Sequence, residues 1–237
     1  MLRSINQTYE GKLRASDGEI GHVKDFYFDD QNWAIRYLIA ETGNWLTSRK
    51  VLISPHALSD AYMPGKVLIV NLTRKLIEDS PSLEWHKPVS RRYEEEYYRY
   101  YGWPFSWEGD ALWGMSGLPI LELPSRPLPS EAAVTSGLQP ECADAHLRST
   151  RAVNGYHIRA SDGIIGHVCD FMMDAKTWAI RQLVIKTGHR FSGKEVLIPT
   201  DKVDRISYEE STVFVNLTSE AVDHSPAQHL ISDGEAN

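Results

Sequence analysis

The sequence predicts an all-β fold, two small β-barrels in tandem joined by an aromatic-rich linker that carries a short helix. Three observations predict it. First, the chain repeats itself: "ASDGEIGHVKDF" at Ala15 to Phe26 returns as "ASDGIIGHVCDF" at Ala160 to Phe171. Placing residue i over residue i+145 without a gap gives about 28 identities in 68 positions, from Arg14/Arg159 to Pro81/Pro226. Second, the segments within each copy are short, rich in Val, Ile, Phe and Trp, and separated by turn chemistry, the pattern of strands. Third, five or six short strands in about 75 residues leave costly open edges unless the sheet curls into a barrel.

Each element has a local reason. Asp17–Gly18 is a hairpin dipeptide whose glycine accepts positive φ, joining a strand near Lys12–Ser16 to one near Ile20–Phe28, and Asp162–Gly163 repeats it. The polar stretch Asp29 to Asn32 turns the chain back into Trp33–Ala40, which Thr42–Gly43 ends. Lys50–Ser54 and Val67–Leu72 supply further strands. Thr73 and Thr218, each closing a "VNLT", are placed to cap a short helix that stops before Pro81 or Pro226. The resulting division is a first barrel over 1–82, a linker over 83–150 with a helix near 90–101, a second barrel over 151–230, and a polar tail over 231–237.

The repeated polar residues invite a catalytic reading, which strand geometry answers. With an even loop at Asp29 to Asn32, facing positions put Asp25 opposite Arg36 and Phe26 opposite Ile35; the second copy pairs Asp170 with Arg181 and Phe171 with Ile180. Cross-strand ion pairs then account for both charges, unless an odd loop or a bulge breaks this register. His22 and His167 lie three residues from those aspartates and so point to the opposite face. They are the candidates for a pH-, ion- or ligand-sensing role at a cleft between the barrels, because histidine titrates near neutral pH.

The linker is the least bland segment. Ser90 is a plausible N-cap and Gly102 a plausible stop, with Tyr93, Tyr97, Tyr100 and Tyr101 at helical spacing on one side. Trp85, Trp103, Phe105, Trp107, Trp113 and five tyrosines place ten of the 24 aromatics within 29 residues. Aromatics bury large areas and concentrate where surfaces meet, so Tyr93, Tyr97, Tyr101, Trp103, Phe105, Trp107 and Trp113 are the candidate interface. Glu94, Glu95 and Glu96 are consecutive and fan around a helix axis, the arrangement of a solvated face. Residues 118–150, rich in Pro, Ser and Ala, form the spacer.

Composition narrows the function classes. The net charge of −7 contains no basic stripe, which argues against direct nucleic-acid binding, and the net-negative linker argues against base stacking on its aromatics. Cys142 and Cys169 give neither metal spacing nor a disulfide framework. No nucleophile with a base, metal cluster or phosphate cradle stands out, so the expectation is a non-enzyme without cofactor or metal. No signal-peptide or membrane-spanning stretch is evident, which predicts a cytoplasmic protein and leaves peripheral membrane contact open.

The ordered segments "SDG", "IGHVKDFYFD", "WAIRYLIAETG", "KVLISP" and "VNLTRKLIEDSP" resemble the PRC-barrel domain, over roughly 1–82 and 151–230. That family is named for the cytoplasmic barrel of the photosynthetic reaction-centre H subunit and includes the C-terminal domain of the ribosome-maturation factor RimM. The resemblance implies a small β-barrel that binds proteins or organises an assembly, and it brings no family-wide catalytic residues. The membrane-spanning helix of an H subunit and the RNA-maturation domain of RimM find no counterpart here. An electron-transport accessory role and a ribosome-assembly role therefore rank behind a scaffold or regulatory adaptor that binds a protein partner or pairs as a homodimer.

Overall fold

The computed structural model describes residues 1–43, 49–63, 67–81, 89–103, 146–188 and 193–223. They fall into two compact units, one made of Met1–Ile77 with His146–Asn237 and the other of Glu78–Ala145. The first unit holds both repeats.

In the first repeat, β1 (Leu2–Ser4) precedes β2 (Lys12–Ala15), β3 (Gly18–Asp29), β4 (Ala34–Thr42), β5 (Lys50–Ile53), β6 (Leu58–Met63), β7 (Val67–Val70) and helix α1 (Arg74–Glu78). The strands hydrogen-bond in the order β5-β4-β3-β2-β7-β6. All neighbours are antiparallel except β2 and β7, which run parallel with Leu13 facing Leu68. The two edge strands, β5 and β6, are consecutive in the chain and are joined by the short 3-10 turn Pro55–Ala57. Period-two alternation puts Leu13 and Ala15 of β2 and Phe26 and Phe28 of β3 into the core, and irregularities at Ile20 and after Val23 bring those two residues onto the same face, each of the six at most 3% exposed. Full burial of each large apolar side chain contributes about 1.5–3 kcal/mol.

Helix α2 (Arg91–Tyr101) belongs to the second unit. The remainder of the first unit comprises β8 (Leu147–Ser149), α3 (Thr150–Val153), β9 (His157–Ala160), β10 (Gly163–Asp174), β11 (Ile180–Thr187), β12 (Glu195–Pro199), β13 (Val203–Ser207), β14 (Thr212–Val215) and α4 (Ser219–Asp223). Its sheet order, β12-β11-β10-β9-β14-β13, copies the first.

The turn chemistry differs in detail from the sequence expectation. Ala15 pairs with Gly18, so the hairpin loop is Ser16–Asp17, and Asp17 Oδ1 accepts the Arg74 N–H at 2.8 Å. Asp162 likewise accepts from Ser219 N, at 2.9 Å, and from its hydroxyl. The aspartate of "SDG" thus caps the closing helix of its own repeat. Thr73 and Thr218 do cap as expected, accepting from Leu76 N and Ala221 N at 3.2 Å each. Glycines at 21 and 166 answer to space: a Cβ there would stand 1.9 Å from the Glu41 carbonyl oxygen and 2.2 Å from that of Lys186.

Candidate functional site: the clamps between the repeats

Each repeat completes its sheet with a strand written ahead of the other repeat. Strand β1 pairs with β10, Leu2 facing Asp174, Arg3 facing Met173 and Ser4 facing Met172. Strand β8 pairs with β3, Leu147 facing Asp29, Arg148 facing Phe28 and Ser149 facing Tyr27. Every position of one pairing maps onto the other by the 145-residue offset, so the repeats are related by a pseudo-twofold exchange. Residues 2–4 and 147–149 are both Leu-Arg-Ser. This signal was present in the sequence, but positions 5–13 and 150–158 share no identity, which hides it from a search that begins at Arg14.

The exchange explains the repeated aspartates. Asp25 follows a bulge between Val23 and Asp25. Its Oδ2 accepts the Ser149 hydroxyl at 2.6 Å, and its Oδ1 accepts the N–H groups of Phe26 and Arg151 at 2.8 and 3.2 Å. Thr150 Oγ1 lies 3.1 Å from the same Oδ1 and 2.7 Å from the Tyr9 hydroxyl. Asp170, in the equivalent place, accepts the Ser4 hydroxyl, the Asn6 N–H at 3.0 Å and the Phe171 N–H at 2.7 Å. Burial is the largest influence on both carboxyls and pushes their pKa values up, against the pull of these donors. With both oxygens of each carboxylate engaged, the arrangement holds strands together.

The predicted ion pairs are therefore corrected. Asp25 faces Ile39 and Asp170 faces Val184, while Phe26 faces Leu38 and Phe171 faces Leu183. Two physical causes shift the register. Asp29 remains in β3 and its Oδ1 accepts the N–H groups of Gln31 and Asn32, both at 2.9 Å, so the loop is residues 30–33. The bulge between Tyr27 and Phe28 then displaces the ladder by one more residue before Asp25 is reached. Arg36 meets Asp29, Nη1 to Oδ2 at 3.6 Å. Arg181 is exposed, and its charge reaches Asp174, whose carboxyl is held below its ordinary range first by the Lys176 N–H.

The loop shift also assigns the repeated tryptophans. Trp33 and Trp178 adopt left-handed backbone, with φ of 53° and 56°. Such a conformation is costly for a bulky residue and persists where surroundings impose it. Here the Trp33 carbonyl accepts the Ile180 N–H at 2.6 Å and the Trp178 carbonyl accepts the Ile35 N–H at 2.9 Å. Between them Ala34 and Ala179 form a bridge. Phe28 and Phe171 meet at 5.6 Å between ring centroids, joining the two cores.

Around the first clamp lies a polar cluster without a full counterpart. Asp30 Oδ2 accepts from Arg148 Nε at 2.7 Å, and Asp30 Oδ1 lies 3.0 Å from His146 Nδ1. The Arg148 guanidinium sits 5.2 Å from the Tyr208 ring centre. The second repeat has Ala175 where the first has Asp30, and keeps the backbone contact, Ala175 N to the Met1 carbonyl at 3.1 Å.

His22 and His167 are exposed on β3 and β10, facing Lys12 and Glu41, and His157 and Lys186. Neither is among the hydrogen-bond partners of the clamp aspartate, although the bulge between them puts each histidine on the same face as that aspartate, His22 and Asp25 opposite Glu41 and Ile39, which corrects the opposite-face expectation. Cys169 is half-buried, its thiol pushed up to about 12 chiefly by burial, which keeps it protonated and inert.

In the second unit, the helix ends match expectation: Ser90 Oγ accepts the Tyr93 N–H at 3.2 Å, and Gly102 is left-handed at φ 70°. Tyr97 packs against Tyr101 at 5.0 Å, and Tyr101 stacks on Trp103 at 4.4 Å. The buried face contains Tyr98, not Tyr100, because Tyr97 and Tyr98 are 0% and 1% exposed and Tyr100 is 37% exposed. Glu94 is buried as well, at 1%, so the solvated-face expectation holds only for Glu96, which pairs with Arg92 at 3.3 Å. Phe105, Trp107 and Trp113 lie outside the described residues. No helix among the described residues is long and apolar enough to cross a membrane.

Comparison with known proteins agrees with this architecture. The family model of the PRC-barrel domain matches the chain twice, over residues 14–77 and 151–222. No curated protein matches it.

Proposed function

We propose, from the premise that this chain belongs to the PRC-barrel domain family, that it is a non-catalytic scaffold or regulatory adaptor, a rigid two-barrel platform presenting a protein-binding surface. One observation carries the reading: the aspartates and threonines written in both repeats are spent on architecture. Asp25 and Asp170 clamp the exchanged strands, and Asp17 and Asp162 with Thr73 and Thr218 cap the closing helices. A duplicated sequence that retains these groups retains a shape. The aromatic segment that begins with α2 is the part of the chain suited to a partner, because aromatic residues supply large contact areas at small entropic cost.

Cross-linking with mass spectrometry in native cell extract, followed by capture with the purified chain, tests this. A partner cross-linked to residues 90–113 should be lost when Trp103, Trp107 and Trp113 are changed to Ala while circular dichroism stays unchanged. A partner retained by that triple variant removes the linker from the binding surface.

A further inference from the structure

The two clamps are one recognition chemistry used twice. Each receptor is a bulged strand carrying Asp-Phe, and each ligand is a Leu-Arg-Ser strand whose serine hydroxyl and following backbone N–H meet the aspartate. The flanking contacts are also reciprocal: the Trp33 and Trp178 carbonyls, the Ala34–Ala179 bridge and the Phe28–Phe171 contact all lie between the first repeat and the second. None of them depends on both repeats belonging to one molecule. The chain that joins them, Glu78–Ala145, forms a separate compact unit.

We infer that two copies of this chain pair by exchanging repeats, the first repeat of one copy seating on the second repeat of the other through the same Leu-Arg-Ser strands. The partner is identified by complementarity: the receptor beside β10 fits the Leu2–Ser4 strand, and a second copy carries the same strand. Contacts in the closed chain and in the exchanged pair are the same, so the balance rests on concentration. A long connection gives the closed form an effective concentration of about millimolar or less, and reciprocal exchange across a connection is a low-cost route to a dimer. This inference goes beyond the adaptor reading and does not rest on it. Exchange is read by a disulfide between positions 2 and 174 and the adaptor reading by cross-links to residues 90–113, so the failure of either is told from the failure of the other.

The experiment uses the full chain in a background of Cys142→Ser and Cys169→Ala. One preparation carries Leu2→Cys and another Asp174→Cys, positions that face each other across β1 and β10. The two are mixed, unfolded, refolded together and oxidised. Exchange predicts a disulfide-linked heterodimer on a non-reducing gel, absent when either variant is refolded alone. Light scattering on the unsubstituted chain, refolded over a range reaching about millimolar, should show a dimer share that rises with concentration. Monomers at every concentration overturn the inference. A dimer whose cysteine pair fails to link places the association on another surface and overturns it equally.

Discussion

Asp25 and Asp170 are the residues at which strand pairing between the repeats depends on single side chains. Asp170 satisfies the Ser4 hydroxyl and the N–H groups of Asn6 and Phe171. Changing it to Ala leaves buried donors without an acceptor, and the expected loss in urea denaturation is about 3 kcal/mol. Asn keeps one carbonyl acceptor and should cost about 1 kcal/mol. The pH dependence has a definite sign. Burial raises both carboxyl pKa values in the folded chain, so the stability linked to them is fully present below the ordinary carboxylate value and is lost as pH rises through the raised value. The advantage of the native chain over the Asp25→Asn, Asp170→Asn double variant should therefore shrink as pH rises above about 4, and an advantage that grows with pH contradicts the burial argument. The sequence singled out these aspartates but assigned them to Arg36 and Arg181. Period-two alternation cannot see bulges, and every donor they bind except the neighbouring Phe26 and Phe171 N–H groups stands more than a hundred residues away.

Strands and helices were more legible, because their causes are local. Alternation placed β3 and β4, and Ser90 and Gly102 placed both ends of α2. Strands β1 and β8 escaped because three residues carry no periodicity; their pairing partners lie in the other repeat. The glycines of the repeat show how one residue type serves different ends. Gly21 and Gly166 admit β4 and β11 to close backbone contact, and the carbonyl oxygens of Glu41 and Lys186 leave no room for a methyl group. Gly43 has nothing within 4 Å of its would-be Cβ. Replacing Gly21 or Gly166 by Ala should cost about 3 kcal/mol or more, since the obstacle is backbone and the strands must part, whereas Gly43→Ala should stay within about 0.5 kcal/mol. Thermal and urea unfolding of the three variants make the comparison. Equal behaviour would mean that the contact at β3 and β4 relaxes freely.

At the scale of the molecule, tandem duplication was plain in the sequence and the exchange was not. An offset of 145 residues announces two similar domains and does not say which segments cross between them. The structure joins them: each sheet has seven strands, one of them supplied by the segment ahead of the other repeat. A covalent linker is then unnecessary for association once the chain has folded. A protease site inserted between residues 118 and 140 and cleaved after folding should leave two halves that elute together from a sizing column at micromolar concentration. They should also unfold in one cooperative transition, because neither sheet is complete alone. Adding Asp25→Ala and Asp170→Ala to the cleaved chain removes the acceptors of both exchanged strands and should let the halves separate. Halves that separate without those substitutions would mean that β1 and β8 contribute little and that the linker alone keeps the repeats together.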